Sequence, residues 1–186
     1  MKWVWRILAI LVALPLAGAV VLLAMGQRSG AGHSHASVEI HAAPERIWPW
    51  LEESGRLKQW VSWLVEVRET PGSTQGAGSR RVWVMRDQNN GGALMEIPFT
   101  FTEYAPPARL TAHSGMAGLF EGEQVYRLTG LANGSTRVDS DGQYRYQMWM
   151  ARLMEPLITP SAEKKMQADL ARLKEAVEKS ESPVSQ

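Results

Sequence analysis

The alternation of apolar and polar residues predicts that the middle of the chain forms β-strands joined by short turns. Within residues 93–104, Ile97, Phe99 and Phe101 fall on one face of an extended strand, while the threonines of this segment fall on the other. Comparable runs cover residues 37–41, 65–70, 80–87, 109–114, 119–129 and 135–146. Because tight-turn signals such as the Asn-Gly pair at 133–134 separate them, we expect an antiparallel meander.

Helical periodicity appears on both sides of this meander. After the first strand, residues 44–54 and 56–63 predict two short helices. Near the C-terminus, apolar residues recur at spacings of four, three and four, at Met166, Leu170, Leu173 and Val177. This stripe predicts an amphipathic helix that has Thr159 as its N-cap and Pro160 at its first position, and that extends to about residue 179.

The order of these elements predicts an α+β fold. It reads as one strand, two short helices, about six antiparallel strands and a long helix. A meander with one apolar face must bury that face, and the terminal helix has the complementary stripe. We therefore expect a curved antiparallel sheet that wraps around the C-terminal helix.

An apolar run near the N-terminus predicts a membrane segment. Residues 7–25 contain no charged side chain, and a membrane-spanning helix needs roughly 20 such residues. Lys2 and Arg6 precede the run, so the positive-inside rule predicts a cytoplasmic N-terminus and an extracytoplasmic (in a bacterium, periplasmic) remainder. A retained signal-anchor is favoured, and a cleaved signal peptide is the alternative. The predicted organisation is an anchor at 1–26, a flexible linker at 27–36, a folded domain at 37–180 and a disordered tail at 181–186.

Composition excludes several classes of function. The chain carries 20 basic and 19 acidic residues, and two of the basic ones precede residue 27, which leaves 18 against 19 in the remainder. A near-neutral domain gives no electrostatic reason to expect nucleic acid as a partner. The absence of cysteine excludes disulfides and thiol catalysis. His33 and His35 lie in the predicted linker without a fixed scaffold, so we expect neither a metal site nor a cofactor.

Four segments, in this order, resemble a known superfamily. They are VEIHAAPERIW at 38–48, LKQW at 57–60, GAGS at 76–79 and LARLKE at 170–175. Together they resemble the START-like helix-grip (SRPBCC) superfamily, particularly its polyketide cyclase/dehydrase and lipid-transport branch. The resemblance covers about residues 37–179. It implies a deep, mostly apolar cavity between sheet and helix, in a superfamily that includes carriers, hormone receptors and cyclases.

The resemblance and the strand alternation together identify candidate ligand-binding residues. Those expected to face a small hydrophobic ligand are Trp83, Ile97, Phe99, Phe101, Tyr126, Tyr144, Trp149, Leu153 and Leu157. The plain alternative is that these side chains are core. Pro156 and Pro160 interrupt the approach to the helix, which predicts either a kinked lid at the cavity mouth or a loop.

Catalysis has no support in the motifs. Glu121 and Glu123 share the strand face opposite Phe120 and Tyr126, and His113 is also expected outside, so no catalytic residue is predicted. The first hypothesis is a membrane-anchored extracytoplasmic domain that binds a hydrophobic or lipid-like ligand as a carrier or sensor. The alternatives are a cyclase or dehydratase that uses scattered cavity residues, and an envelope interaction module whose cavity is filled by its own side chains.

Overall fold

The computed structural model describes residues 30–88 and 91–181, together with a few positions among residues 3–21. Most of the predicted membrane segment at 7–25, and all but one residue of the predicted tail at 181–186, lie outside the described residues. Among the residues that are described, no helix combines the length and the apolar character that crossing a membrane requires.

Seven antiparallel strands form one sheet. They are β1 (Ala31–Ile40), β2 (Leu64–Glu69), β3 (Arg80–Asp87), β4 (Ala93–Ala105), β5 (Arg109–Met116), β6 (Phe120–Gly130) and β7 (Thr136–Tyr146). The spatial order is β1-β7-β6-β5-β4-β3-β2, so β2 to β7 form the predicted meander and β1 pairs with the last strand. Strands with alternating apolar residues pair with their sequence neighbours because the turns are too short for any other connection.

Strand β1 is longer than its sequence predicts. It begins at Ala31, where Ala31 pairs with Arg145 of β7, so residues 31–36 belong to the sheet and the assignment of a flexible linker there is wrong. Gly32, Ser34 and Ala36 are buried while the residues between them are exposed. Small residues are needed here because a Cβ on Gly32 would lie 2.8 Å from the Thr159 hydroxyl. Small and polar residues are also typical of flexible linkers, but here they let β1 pack closely against the segment that contains Thr159.

Among the described residues from 30 onward, three helices complete the fold: α1 (Pro44–Glu52), α2 (Ser54–Trp60) and α3 (Trp149–Glu181). Helix α3 starts ten residues before the predicted N-cap Thr159 and contains both Pro156 and Pro160, so neither an N-cap at Thr159 nor a loop before it is correct. Each proline removes one backbone hydrogen bond and crowds the carbonyl of the preceding turn, at a cost of about 3 kcal/mol or more. Packing along β1 outweighs that loss, and the Arg152 guanidinium donates a hydrogen bond to the Tyr146 carbonyl at 3.0 Å.

The second half of α3 is the centre of the core. Leu170, Leu173 and Val177 are at most 1 % exposed. They belong to one hydrophobic cluster with residues of α1, α2 and the sheet, including β1. This confirms the predicted apolar stripe and the α+β architecture. Met166, the first member of the stripe, is half-buried and packs against the edge of this cluster.

Candidate ligand cavity

A cavity of about 220 Å³ lies between the inner face of the sheet and the helices. Strands β3 to β7 supply most of its wall, α2 closes one side, and α3 covers it with Ala162, Lys165, Met166 and Asp169. The remaining lining side chains are Leu51, Leu57, Trp60, Val61, Trp83, Met85, Ile97, Phe99, Phe101, Leu110, Ala112, Ser114, Phe120, Gln124, Tyr126 and Tyr144. The wall is therefore mostly apolar.

Six of the nine predicted ligand-binding residues line this cavity. They are Trp83, Ile97, Phe99, Phe101, Tyr126 and Tyr144. They converge because residues two apart on a strand share one face, and this face is concave. The space beside Trp83, Phe99 and Phe101 is open, which argues against an interaction module whose cavity is filled by these side chains.

The three predicted residues of α3 lie elsewhere. Trp149 is 63 % and Leu157 is 64 % exposed, and the half-buried Leu153 does not line the cavity. The lid interpretation places Leu153 and Leu157 at the cavity mouth. Because α3 starts at Trp149, the part of the helix that contains them runs past the end of the cavity, and residues 162–169 cover it.

Aromatic rings form a preorganised wall. Trp83 stacks on Phe99 with ring centroids 4.2 Å apart, and Trp60 meets Tyr126 edge-on at 6.2 Å. Such pairs hold each other in place, so this wall needs little rearrangement to receive a ligand. The indole N–H of Trp83 is buried and has no hydrogen-bond partner among the described residues, which leaves a donor in the wall.

One part of the cavity is polar but carries no charge. The Tyr144 hydroxyl donates to the Gln124 amide oxygen at 3.0 Å, the Gln124 amide nitrogen donates to the Ser140 hydroxyl at 2.8 Å, and the Ser34 hydroxyl lies 3.5 Å from that of Tyr144. We call Ser34, Gln124, Ser140 and Tyr144 the polar network. Gly142 makes room for it, because a Cβ there would lie 2.3 Å from the Tyr144 hydroxyl oxygen.

Sequence reasoning missed Gln124 and Ser140, although the signal for them was present. Gln124 lies two residues before Tyr126, and Ser140 lies opposite Tyr126 in the register of β6 and β7. The alternation that selects the two tyrosines therefore selects these residues as well. They were not chosen because polar side chains in a strand are ordinarily assigned to solvent.

The cavity tyrosines are uncharged over a wide range of pH. Burial raises the pKa of Tyr126 and of Tyr144 above the ordinary value for tyrosine. Burial also raises the pKa of Tyr146, at the end of β7, to about 12. Burial is also the largest cause of the raised pKa of Tyr104, and a hydrogen bond with Glu52 raises it further.

All four tyrosines of the chain have a raised pKa, which gives a simple test. We expect the phenolate absorbance of the folded protein to appear above pH 10, and that of the urea-unfolded chain at about 10. The raised folded pKa means that stability is full below the unfolded pKa and is lost as pH rises through the folded values. A folded-state transition at or below the unfolded midpoint would contradict the burial of these rings.

A buried carboxylate lies at the edge of the cavity. Asp169 is 2 % exposed and accepts hydrogen bonds from Lys165 at 2.6 Å, from Arg172 at 3.1 Å and from the backbone N–H of Ser62 at 3.1 Å. Lys165 and Asp169 are four residues apart, a spacing typical of ion pairs on the exposed side of a helix, but here the carboxylate is buried. The turn after α2 covers it, a long-range contact that helical periodicity does not encode.

The other titratable candidates face solvent. His113, Glu121 and Glu123 are exposed on the outer face of the sheet, as predicted. Within the described part of the chain, no group of three or more histidine or acidic side chains is arranged to hold a metal ion.

The fold and the cavity define a helix-grip domain with an internal pocket, and comparison with known proteins agrees. The family model for polyketide cyclase / dehydrase and lipid transport matches residues 31–178, and the chain belongs to this family. No curated protein matches the chain.

Several solved structures have the same fold. A conserved protein from Geobacillus kaustophilus is 13 % identical in sequence with a TM-score of 0.66, and the match covers 80 % of this chain and 96 % of that protein. A Thermus thermophilus protein is 18 % identical with a TM-score of 0.64, and the match covers 81 % of this chain and 99 % of that protein. A Nitrosomonas europaea protein is 15 % identical with a TM-score of 0.63, and the match covers 82 % of this chain and 97 % of that protein. At these identities the likeness concerns the fold alone.

Proposed function

We propose that this chain is a membrane-anchored, extracytoplasmic domain that binds a small hydrophobic molecule carrying an uncharged polar group. The observation that carries the proposal is the cavity of about 220 Å³, whose wall is mostly aromatic and aliphatic and whose polar network is neutral. An apolar pocket with a few convergent polar groups is the usual form of a small-molecule site. The family, described by cyclase, dehydrase and lipid-transport members, supports the same class of ligand.

The cavity also limits the size and the charge of the ligand. Pockets for drug-sized molecules usually measure about 300–1,000 Å³, so this volume favours a small ring system or part of one acyl chain. A hydroxyl or carbonyl group of the ligand can exchange hydrogen bonds with Gln124 or Tyr144. A charged group would have to leave water, which costs several kcal/mol per ion (about 20 in the idealised limit). The two charged side chains on the described wall, Lys165 and Asp169, already pair with each other at 2.6 Å.

Anchoring and export are supported by the sequence alone. The apolar run at 7–25 has the length of a membrane helix, and Lys2 and Arg6 lie on its N-terminal side. A pair of reporters fused after Gln186 tests the orientation. We expect the fused reporter that is active only outside the cytoplasm to be active. Activity of the fused reporter that works only inside the cytoplasm would overturn the proposed export.

Binding is tested by native mass spectrometry of the full chain, purified in a mild detergent that is removed in the gas phase. We expect one hydrophobic molecule per chain, or uptake of one fluorescent fatty alcohol when the protein is isolated empty. An empty protein that also takes up no fatty alcohol would contradict the proposal. A variant with a filled cavity, described in the Discussion, separates a ligand in the cavity from lipid around the anchor.

A cyclase or dehydratase is the second candidate, and the buried carboxylate of Asp169 is the observation that favours it. A general base needs a free lone pair within reach of the substrate; three donors already occupy Asp169, which leaves about one of the four lone-pair sites of its carboxylate. Mass spectra of the ligands eluted from wild type and from Asp169→Asn distinguish the two functions. The same molecule in both supports a carrier or sensor, and a different molecule in the variant supports catalysis.

A further inference from the structure

The solvent face of α3 changes character along its length. Met150, Met154 and Leu157 recur at spacings of four and three and are exposed, and Trp149 is exposed beside them. Further along the same face, the exposed side chains are polar apart from one alanine: Ser161, Lys164, Ala168, Arg172, Glu175 and Lys179. An ordinary surface helix would be polar over its whole outer face. We call Trp149, Met150, Met154 and Leu157 the apolar patch.

The patch lies where the chain enters the folded domain. Gly30 packs on Arg152, since a Cβ on Gly30 would lie 2.7 Å from the Arg152 Cγ, and the Tyr146 N–H donates to the Gly30 carbonyl at 2.9 Å. Only residues 26–29 separate Gly30 from the apolar run that ends at Met25. A chain of that length spans at most about 18 Å from Met25 to Gly30. A membrane that contains the run must therefore lie close to the first turns of α3.

We propose that the apolar patch docks into the interfacial layer of the membrane that holds residues 7–25. This inference rests on the anchoring part of the proposed function. A membrane interface accepts tryptophan together with methionine and leucine, and an amphipathic helix lies in its plane with the apolar face buried. The outer face of α3 carries no large apolar side chain from Ser161 onward, so the helix would leave the interface there.

Docking places the cavity next to the lipid. Leu157 lies five residues before Ala162, about 7.5 Å along the helix axis, and Ala162 is the first residue of α3 that lines the cavity. On the sheet side, the exposed Leu119 directly precedes Phe120, which also lines the cavity. A hydrophobic molecule could then pass between bilayer and cavity over a short path through water.

The absence of native cysteine allows a direct test in the full chain. Single cysteines are introduced as Met154→Cys or Glu175→Cys, labelled with an environment-sensitive fluorophore and reconstituted in phosphatidylcholine–phosphatidylglycerol vesicles containing spin-labelled lipid. Both positions lie on the outer face of α3, about 32 Å apart along its axis, so Glu175 is the matched control. We expect a blue-shifted label at position 154 that lipid quenches several-fold more than the label at 175.

The outcomes separate this inference from the anchor on which it rests. Equal quenching at both positions in a chain that floats with the vesicles would overturn docking and leave the anchor intact. A shielded label at 154 that lipid does not quench would also overturn docking; the occupant is then a second copy if shielding falls as the protein is diluted in lipid, or another part of the same chain if it does not. A chain that does not float with vesicles would overturn both the anchor and docking.

Discussion

Replacing Trp60 by alanine is expected to lower the free energy of unfolding by about 3–5 kcal/mol, the usual cost of removing a large buried aromatic side chain. Trp60 is 1 % exposed, and its indole N–H donates a hydrogen bond to the Trp50 carbonyl at 2.8 Å. It also contacts Tyr126 edge-on across the cavity wall. The substitution therefore leaves a void and a buried carbonyl without its donor. Urea unfolding of the full chain in mild detergent, followed by circular dichroism, measures the change.

Leu94→Ala is the control, because it truncates a large apolar side chain that is 57 % exposed on β4 and lies outside the apolar patch. We expect its effect on the free energy of unfolding to stay within about 0.5 kcal/mol. If Trp60→Ala costs no more than Leu94→Ala, Trp60 is not packed between α2 and the cavity wall as described.

Replacing Ala162 by tryptophan is expected to weaken binding of a fluorescent fatty alcohol by at least roughly tenfold, or about 1.4 kcal/mol. Ala162 lies on the part of α3 that covers the cavity, so an indole there occupies space that the ligand needs. Its position is only half-buried, and the larger side chain can be accepted without opening the core. Titration of the full chain with the fatty alcohol measures the dissociation constant.

Ala171→Trp serves as the control on the same helix, because Ala171 is exposed and does not line the cavity. We expect it to bind as the wild type does, and Ala162→Leu to show an intermediate loss. Wild-type affinity in Ala162→Trp would mean that the ligand binds elsewhere. Unfolding midpoints of the variants show whether lost binding reflects a filled cavity or a lost fold.

Local patterns were sufficient for most of the sheet and for much of its concave face. Residues 80–87 were predicted as a strand and are strand β3, because β-branched and aromatic residues bounded by turn signals have few other arrangements. Alternation then placed Ile97, Phe99 and Phe101 on one face, and all three line the cavity. The side-chain period of a strand is a local property, so the sequence expresses it directly.

The length of α3 did not follow from local rules. Two prolines and an N-cap signal at Thr159 indicated a late helix start, yet the helix begins at Trp149. Contacts with β1 stabilise its first turns, and β1 itself begins six residues earlier than its composition indicates. The two elements stabilise each other through contacts between segments that are distant in sequence. The residues of neither segment indicate those contacts by themselves.

The sequence by itself determined the class of fold, the order of strands and helices and the hydrophobic character of the inner face, since periodicity and turn chemistry depend on neighbouring residues. Only the tertiary structure decided which polar side chains enter the cavity and which part of α3 covers it. Ser34, Gln124, Ser140 and Tyr144 meet because β1, β6 and β7 are adjacent, and Asp169 is buried because the turn after α2 lies over it. These placements depend on packing between segments as many as 110 residues apart in sequence, which no local pattern records.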